Sequence, residues 1–185
     1  PATETLARVT RAIASKSVLR VVYSSVSSGE SQREILPFAL VDNGLRWHVR
    51  AFDRKTSSFR DFVITRILSA EVVGGDAPGK GEGPDDDAQW SRVLELELVA
   101  HPDSERPELT ALDYPMVDGV LMVRARAALA GYVMRRWNVD CSPDHRLRGP
   151  EHTLWLRDSL VLYGVESAAI APGYVPPGRK AFARG

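Results

Sequence analysis

Hydrophobic and polar residues alternate in several short segments of the first 75 residues, a pattern typical of strands with one buried face. Residues 45–52 show it most clearly, and Asn43-Gly44 just before them is a strong signal for a hairpin with residues 35–41. The pattern directs one set of side chains to the core, namely Leu45, Trp47, Val49 and Ala51. It directs the other set outwards, namely Arg46, His48, Arg50 and Phe52. We therefore expect two guanidinium groups and an imidazole on one exposed surface.

Further elements are predicted around this strand. Apolar residues at helical spacing predict a helix over residues 5–16, and runs rich in β-branched residues predict strands at 18–25, 33–41, 59–65 and 68–73. Pro37 has no N–H, so its segment should be an edge strand, a bulge or a sharply bent strand. Five short strands after one helix predict a small, strongly bent β-barrel.

The next segment is rich in Gly, Pro and Asp, which predicts a flexible linker over residues 76–89 between domains at 1–75 and 90–185. In the second half, strands are predicted at 92–100 and 120–125, and helices at 105–112 and 127–137. Ser104 is the predicted N-cap of the first of these helices. The fold class predicted for the whole chain is therefore α+β.

Composition narrows the class of protein. The 185 residues include 44% hydrophobic and 26% charged residues, as in ordinary globular proteins, and no apolar run approaches the length of a membrane span. A single cysteine excludes an internal disulfide, which is typical of the cytoplasm. Net charge is zero, but residues 1–75 hold 11 basic against 7 acidic residues and the remainder hold 13 against 17. This asymmetry indicates an anionic ligand bound by the first half.

Five arginines from three neighbouring predicted strands, with one histidine among them, are the candidate site: Arg33, Arg46, Arg50, Arg60, Arg66 and His48. Guanidinium groups bind phosphates through paired hydrogen bonds, and an imidazole or the Tyr23 ring can stack on a base. The alternative is a solvated surface with local ion pairs, for which Asp61 is available. The sequence leaves both readings open.

Catalytic and metal-binding patterns give no support for an enzyme. His101, His145 and His152 do not have metal-ligand spacing with cysteine or carboxylate residues. Asp144-His145 lies near Cys141, but in a segment that is predicted to be a loop with nothing to orient those groups. We expect no catalytic residues, no metal and no cofactor.

The first half resembles the WYL domain of bacterial regulators. The residues that carry the resemblance are Val22-Tyr23-Ser24-Ser25, Arg33, Pro37, Trp47-His48-Val49-Arg50-Ala51-Phe52, Arg60-Asp61-Phe62 and Arg66-Ile67. Trp47-His48-Val49 stands at the Trp-Tyr-Leu signature, with two of its three letters changed. The second half resembles the C-terminal extension of WYL proteins at residues 98–102, 113–116 and 127–137. The combination is similar to the winged-helix–WYL repressors of phage-defence islands, of the type associated with BREX and CBASS systems.

The resemblance implies an Sm/SH3-like barrel that senses a ligand within a homodimeric transcription factor. It implies that the basic barrel face binds an anionic effector, such as single-stranded nucleic acid or a nucleotide. Carried over by position, the candidate ligand contacts are Tyr23, Ser25, Arg33, His48, Arg60 and Arg66, and strand parity adds Arg46 and Arg50. Because the chain starts at Pro1 and opens on the helix before the barrel, we expect the winged helix that contacts operator DNA to lie outside it. The alternatives are a stand-alone single-strand-binding module and a hydrolase acting on nucleotides.

Overall fold

The computed structural model describes residues 3–44, 46–74 and 78–178. The chain divides into two units, Pro1–Asp87 and Ala88–Gly185, which are described separately. Among the described residues, no helix has the length and apolar character required to cross a membrane.

The first unit is one helix followed by a five-stranded antiparallel sheet with strand order β4-β3-β2-β1-β5. Its elements are α1 (Thr3–Ser15), β1 (Val18–Ser25), β2 (Gly29–Asp42), β3 (Trp47–Asp53), β4 (Ser58–Val63), a 3-10 turn (Ile64–Arg66), β5 (Ile67–Val73) and a second 3-10 turn (Pro84–Asp86). The predicted hairpin around Asn43-Gly44 is confirmed, since β2 and β3 pair on either side of it. Pro37 lies in a central strand at a register shift, so the bulge is the correct alternative of the three.

The sheet is strongly curved. Although two strands separate β1 from β4 in the sheet, the Tyr23 hydroxyl of β1 accepts a hydrogen bond from the Val63 N–H of β4 at 3.2 Å. The Tyr23 and Phe62 rings also meet edge to face, with their centroids 5.1 Å apart. The sheet is nevertheless open within the described part of the chain, because the turn after β4 redirects the chain and β5 pairs with β1 instead. The expected closed barrel is therefore not confirmed.

The alternation of apolar and polar residues along β3 predicted the wrong burial for three side chains. Val49 and Ala51 lie in the core as predicted, but Trp47 is 49% exposed whereas His48 and Arg50 are buried. The prediction of a buried Trp47 and an exposed His48 and Arg50 was therefore wrong. The physical reason is that Asp87, from the segment after β5, packs against Arg50, and the Asp61 carboxylate of β4 borders the same surface. Leu45, which the same pattern assigned to the core, lies outside the described residues.

The second unit is a three-stranded antiparallel sheet of order β7-β6-β8 with a buried helix against it. Its elements are α2 (Ala88–Ser91), β6 (Val93–Ala100), α3 (Pro107–Asp113), β7 (Leu121–Arg126), α4 (Ala127–Arg136), β8 (Leu154–Leu156) and two 3-10 turns (Ser159–Leu162 and Glu166–Ile170). The predicted N-cap was wrong, because α3 begins at Pro107, which has no N–H to satisfy in the first turn, and Arg106 is therefore its N-cap. Both units have mixed helix and antiparallel sheet, so the α+β class is confirmed.

Of the segment predicted as linker, residues 76 and 77 lie outside the described part and residues 84–91 contain two short helical turns. Its flexibility, and the domain boundaries at 75 and 90, stay predictions.

Helix α4 packs closely against the last 3-10 turn at Gly131. The Gly131 N–H donates to the Ser167 hydroxyl at 2.9 Å, and that hydroxyl donates to the Ala127 carbonyl at 2.6 Å. A Cβ at Gly131 would lie 1.7 Å from the Ser167 carbonyl oxygen. Glycine is therefore required here for the close approach of two backbones.

We predict that Gly131→Ala lowers the free energy of unfolding by about 3 kcal/mol or more, because the methyl group meets backbone atoms that cannot rotate away. Urea unfolding followed by circular dichroism measures this change. Gly74→Ala is the matched control, since a Cβ there meets nothing within 4 Å. Equal stability of the two variants would contradict the packing described.

Candidate functional site

Arg33 is held by a buried carboxylate. It lies in β2 opposite Val21, and its Nη1 donates to Asp53 Oδ2 at 2.5 Å. Asp53 also accepts hydrogen bonds from the Lys55 N–H and the Thr56 hydroxyl, each at 3.0 Å. Because breaking a buried ion pair leaves an uncompensated charge, this guanidinium group is tied to the β3–β4 turn.

Arg50 forms a second buried ion-pair cluster. Its Nε and Nη2 donate to the two Asp87 oxygens at 2.8 and 3.2 Å, and its Nη1 donates to Asp61 at 3.3 Å. Burial acts to lower the pKa of Arg50, but the hydrogen bonds and negative charges of Asp87 and Asp61 outweigh it and raise that pKa. The cluster therefore binds residue 87 to the middle of β3.

His48 lies beside the same cluster in its neutral form. Burial is the main cause that lowers its pKa; Asp61 acts to raise it, and the positive charges of Arg50 and Arg46 lower it further. The His48 Nε2 atom lies 3.7 Å from Asp61 Oδ1, which is longer than a hydrogen bond. A buried, neutral imidazole contributes to the packing around Arg50 rather than positive charge to a surface.

Tyr23 and Ser25 make local contacts. Tyr23 is buried, and its hydroxyl bonds the Val63 N–H. Ser25 Oγ lies 3.1 Å from the Ser27 hydroxyl in the turn that follows β1. Tyr23 therefore fixes the curvature of the sheet, and Ser25 stabilises the turn.

Arg46 and Arg60 are exposed and Arg66 is half-buried. Within the described ranges, none of these three side chains has an ion pair or a hydrogen bond. The three are therefore the predicted arginines that remain available to a ligand.

The predicted residues do not all come together. His48 and Arg50 lie together with Asp61, whereas Arg33 and Arg60 are registered opposite core residues Val21 and Ala51 on the other face of the sheet. Sequence reasoning found Asp61 as an ion-pair partner but missed Asp87, which it assigned to the solvated linker. The run Asp85-Asp86-Asp87 was the only signal for that residue, and nothing in it distinguishes the buried carboxylate from its exposed neighbours.

The second unit contains a buried polar cluster at Asp140. This carboxylate accepts hydrogen bonds from the Ser142 hydroxyl at 2.6 Å, the Ser142 N–H at 2.8 Å and the Leu147 N–H at 3.0 Å, and it lies 3.1 Å from His101 Nε2. Burial acts to raise its pKa, and these hydrogen bonds, those from Ser142 first, lower it below the ordinary value. Because Ser142 donates to the carboxylate and not to the imidazole, the cluster holds a loop and does not activate a nucleophile.

Cys141 is buried beside this cluster. Burial, together with the Asp140 charge, raises its pKa to about 12, so the thiol stays protonated. No group of three or more metal-ligating side chains is found in the part of the chain that the structure describes.

Two family models match the chain, one for each unit. The WYL domain model matches residues 4–72. The model for the C-terminal dimerization domain of the BrxR transcriptional regulator matches residues 93–162. The chain therefore belongs to the WYL-domain family and combines its WYL domain with a BrxR-type dimerization domain.

Its relatives include proteins described as the DNA-binding transcriptional repressor CapW. The protein from Escherichia coli strain KTE188 is 32% identical over 147 residues, covering 78% of this chain and 48% of the relative. The protein from Stenotrophomonas maltophilia is 37% identical over 139 residues, covering 73% and 45%. The chain thus spans about half the length of these relatives.

A solved structure, proteasome accessory factor B/C (PafBC) of Arthrobacter aurescens, aligns with a TM-score of 0.40 at 24% identity, covering 72% of this chain and 23% of that one.

We predict that Arg50→Met lowers the free energy of unfolding by about 3 to 5 kcal/mol, because it removes the guanidinium group that balances the charge of the buried Asp87 carboxylate. Arg46→Met, on the exposed start of the same hairpin arm, is the matched control and should stay within about 0.5 kcal/mol of the parent. Chemical unfolding at neutral pH measures both. An Arg50→Met protein as stable as the control would show that the cluster does not hold the segment before residue 88.

Proposed function

We propose that this chain is the effector-sensing and dimerising portion of a bacterial DNA-binding transcriptional repressor. The observation that carries the proposal is the order of its two domains, WYL then BrxR-type dimerization domain, in a chain aligned over 147 residues with CapW. In this proposal operator DNA contacts a winged helix outside the two matched segments, residues 4–72 and 93–162. A repressor of a phage-defence system would act in the cytoplasm, where the chromosome lies.

The effector in this proposal is anionic, such as a nucleotide or single-stranded nucleic acid. Its contacts are the guanidinium groups of Arg60, which is exposed, and Arg66, which is half-buried, and neither has an ion pair or a side-chain hydrogen bond among the described residues. Arg46 is not included, because it lies beside His48, on the face of the sheet opposite to Arg60. Arg33 and Arg50 position the surrounding strands instead, because an effector would have to break their buried ion pairs to bind them. Tyr23, Ser25 and His48 belong to the same supporting framework.

Control of DNA binding requires that the effector prefer one state of the dimer. A ligand with equal affinity for both states shifts nothing, however tightly it binds. The proposed coupling is therefore a difference in effector affinity between a DNA-bound and a released form.

We predict that Arg60→Ala/Arg66→Ala weakens binding of a labelled single-stranded oligonucleotide and reduces the slope of log K against log salt by about 0.7 for each phosphate that the protein no longer neutralises. Fluorescence anisotropy across a salt series measures the slope. The control is Arg124→Ala/Arg157→Ala, which removes two exposed arginines from the second unit. An unchanged slope in the folded Arg60/Arg66 variant would remove these residues from the site.

The proposed homodimer forms through the second unit. Leu112, at the end of α3, is 81% exposed, and Val117, in the turn that follows, is 73% exposed. Apolar side chains as exposed as these, close together in the chain, are typical of a surface that a partner covers. We assign the dimer contact to the second unit because its family model is that of a dimerization domain, and to this α3 surface because Leu112 and Val117 are the most exposed large apolar side chains in the described part of that unit.

We predict that Leu112→Asp/Val117→Asp converts the dimer to a monomer, since each carboxylate would be buried without a partner in the interface. Sedimentation equilibrium measures the mass. The control is Leu160→Asp, a similarly accessible leucine in a different element, which should remain dimeric. A dimeric Leu112/Val117 variant would show that the interface lies elsewhere.

A further inference from the structure

A cleft of about 610 Å³ opens in the first unit beside α1. Arg8 and Arg11 of α1 line it together with residues 20–22 of β1, Gln32 of β2 and residues 69–72 of β5. A smaller hollow of about 280 Å³ is lined by Arg20, Gln32, Arg33, Glu34, Arg54 and Lys55. The two share Arg20 and Gln32, so they adjoin, and we call the combined feature the α1 groove.

The α1 groove concentrates positive charge in a chain whose net charge is zero. Its lining includes six basic residues, namely Arg8, Arg11, Arg20, Arg33, Arg54 and Lys55, and two acidic residues, Glu34 and Glu71. Counting also Glu4, Asp53 and Glu82, which pair with Arg8, Arg33 and Arg54, the formal charge of the groove is +1. Only Arg33 is shared with the residues that sequence reasoning selected. Neither Arg60 nor Arg66 lines the groove.

Three of the six basic side chains are available to a ligand. Arg11 and Lys55 have no side-chain ion pair or hydrogen bond within the described ranges. Arg20 lies between Glu34 at 3.1 Å and Glu71 at 3.6 Å, but all three side chains are largely exposed, and exposed ion pairs contribute little. A phosphate can therefore replace either carboxylate at Arg20.

The other three basic residues have structural partners. Arg8 donates to the Ala70 carbonyl and to Glu4, which joins α1 to β5. Arg33 is held by Asp53, and Arg54 makes two hydrogen bonds of 3.0 Å to Glu82. Because Glu4, Asp53 and Glu82 balance these three charges, the contacts to a ligand come from Arg11, Arg20 and Lys55.

No aromatic side chain lines the α1 groove in the part of the chain that the structure describes. Recognition therefore depends on hydrogen bonds between guanidinium and phosphate groups and not on stacking with bases. We propose that the α1 groove binds a ligand with at least two phosphate groups, one in each hollow, with Arg20 between them. This site is additional to the effector contacts proposed above and does not depend on them.

The test uses the full chain and two probes, inorganic tripolyphosphate by calorimetry and a labelled oligothymidine of about twelve nucleotides by anisotropy. Arg11→Gln/Arg20→Gln should weaken tripolyphosphate binding by about tenfold or more, because two charge-assisted hydrogen bonds to the probe are removed. Arg124→Gln/Arg157→Gln is the matched control, since those arginines also pair with exposed glutamates, Glu95 and Glu97. The control should bind within about twofold of the parent.

A second variant distinguishes direct contact from a supporting role. Glu34→Gln/Glu71→Gln removes the carboxylates that compete for Arg20 and should tighten tripolyphosphate binding by about threefold. If Arg20 only supported the sheet, this change would bring no gain in affinity. Thermal unfolding of every variant verifies that it is folded.

Weakening of both probes by Arg11→Gln/Arg20→Gln would show that the groove holds a nucleic acid backbone, and weakening of tripolyphosphate alone would indicate a small polyphosphorylated ligand. The proposal is overturned if the parent binds neither probe, if the control pair weakens binding equally, or if the glutamine variants at Glu34 and Glu71 bind no more tightly. If the Arg60/Arg66 variant loses oligonucleotide binding but still binds tripolyphosphate, the α1 groove and the effector contacts at Arg60 and Arg66 are independent sites.

Discussion

The buried ion pair between Arg50 and Asp87 is the interaction on which the first unit most depends. It joins the centre of β3 to the last residue of the unit, and it decides which face of the strand is enclosed. His48 becomes a neutral core residue and Trp47 an exposed one. A surface that would otherwise present cations to solvent is instead covered by a carboxylate from a distant part of the chain.

The arginines of the first unit fall into two groups, those with buried ion-pair partners and those with exposed partners or none. Arg33 and Arg50 have desolvated partners, and a ligand would gain little from them once the cost of separating each pair is subtracted. Arg20 has only exposed partners, and Arg60 and Arg66 have none among the described residues. The proposed ligand contacts therefore follow from the environment of each guanidinium group rather than from the number of arginines on a strand.

Local patterns predicted most of the fold because they depend on neighbours in the chain: β1 was predicted at 18–25, where it lies, and the Asn43-Gly44 hairpin formed. The errors arose where distant segments meet. Alternation shows that β3 has two different faces, but it cannot show that residue 87 covers one of them. Arg8, Arg11 and Arg20 were overlooked for the same reason, since α1 and β1 each present ordinary surface arginines until the fold places them along one groove.

The single cysteine of the chain lies in the second unit and can serve as a natural probe of that unit in solution. Cys141 is fully buried and protonated beside Asp140, so a thiol reagent can modify it only when this region opens. The rate of modification in the native protein therefore reports the free energy of that opening, without any engineered label. Such a measurement would show whether binding of the proposed effector, or dimerisation, changes the free energy of opening around Cys141.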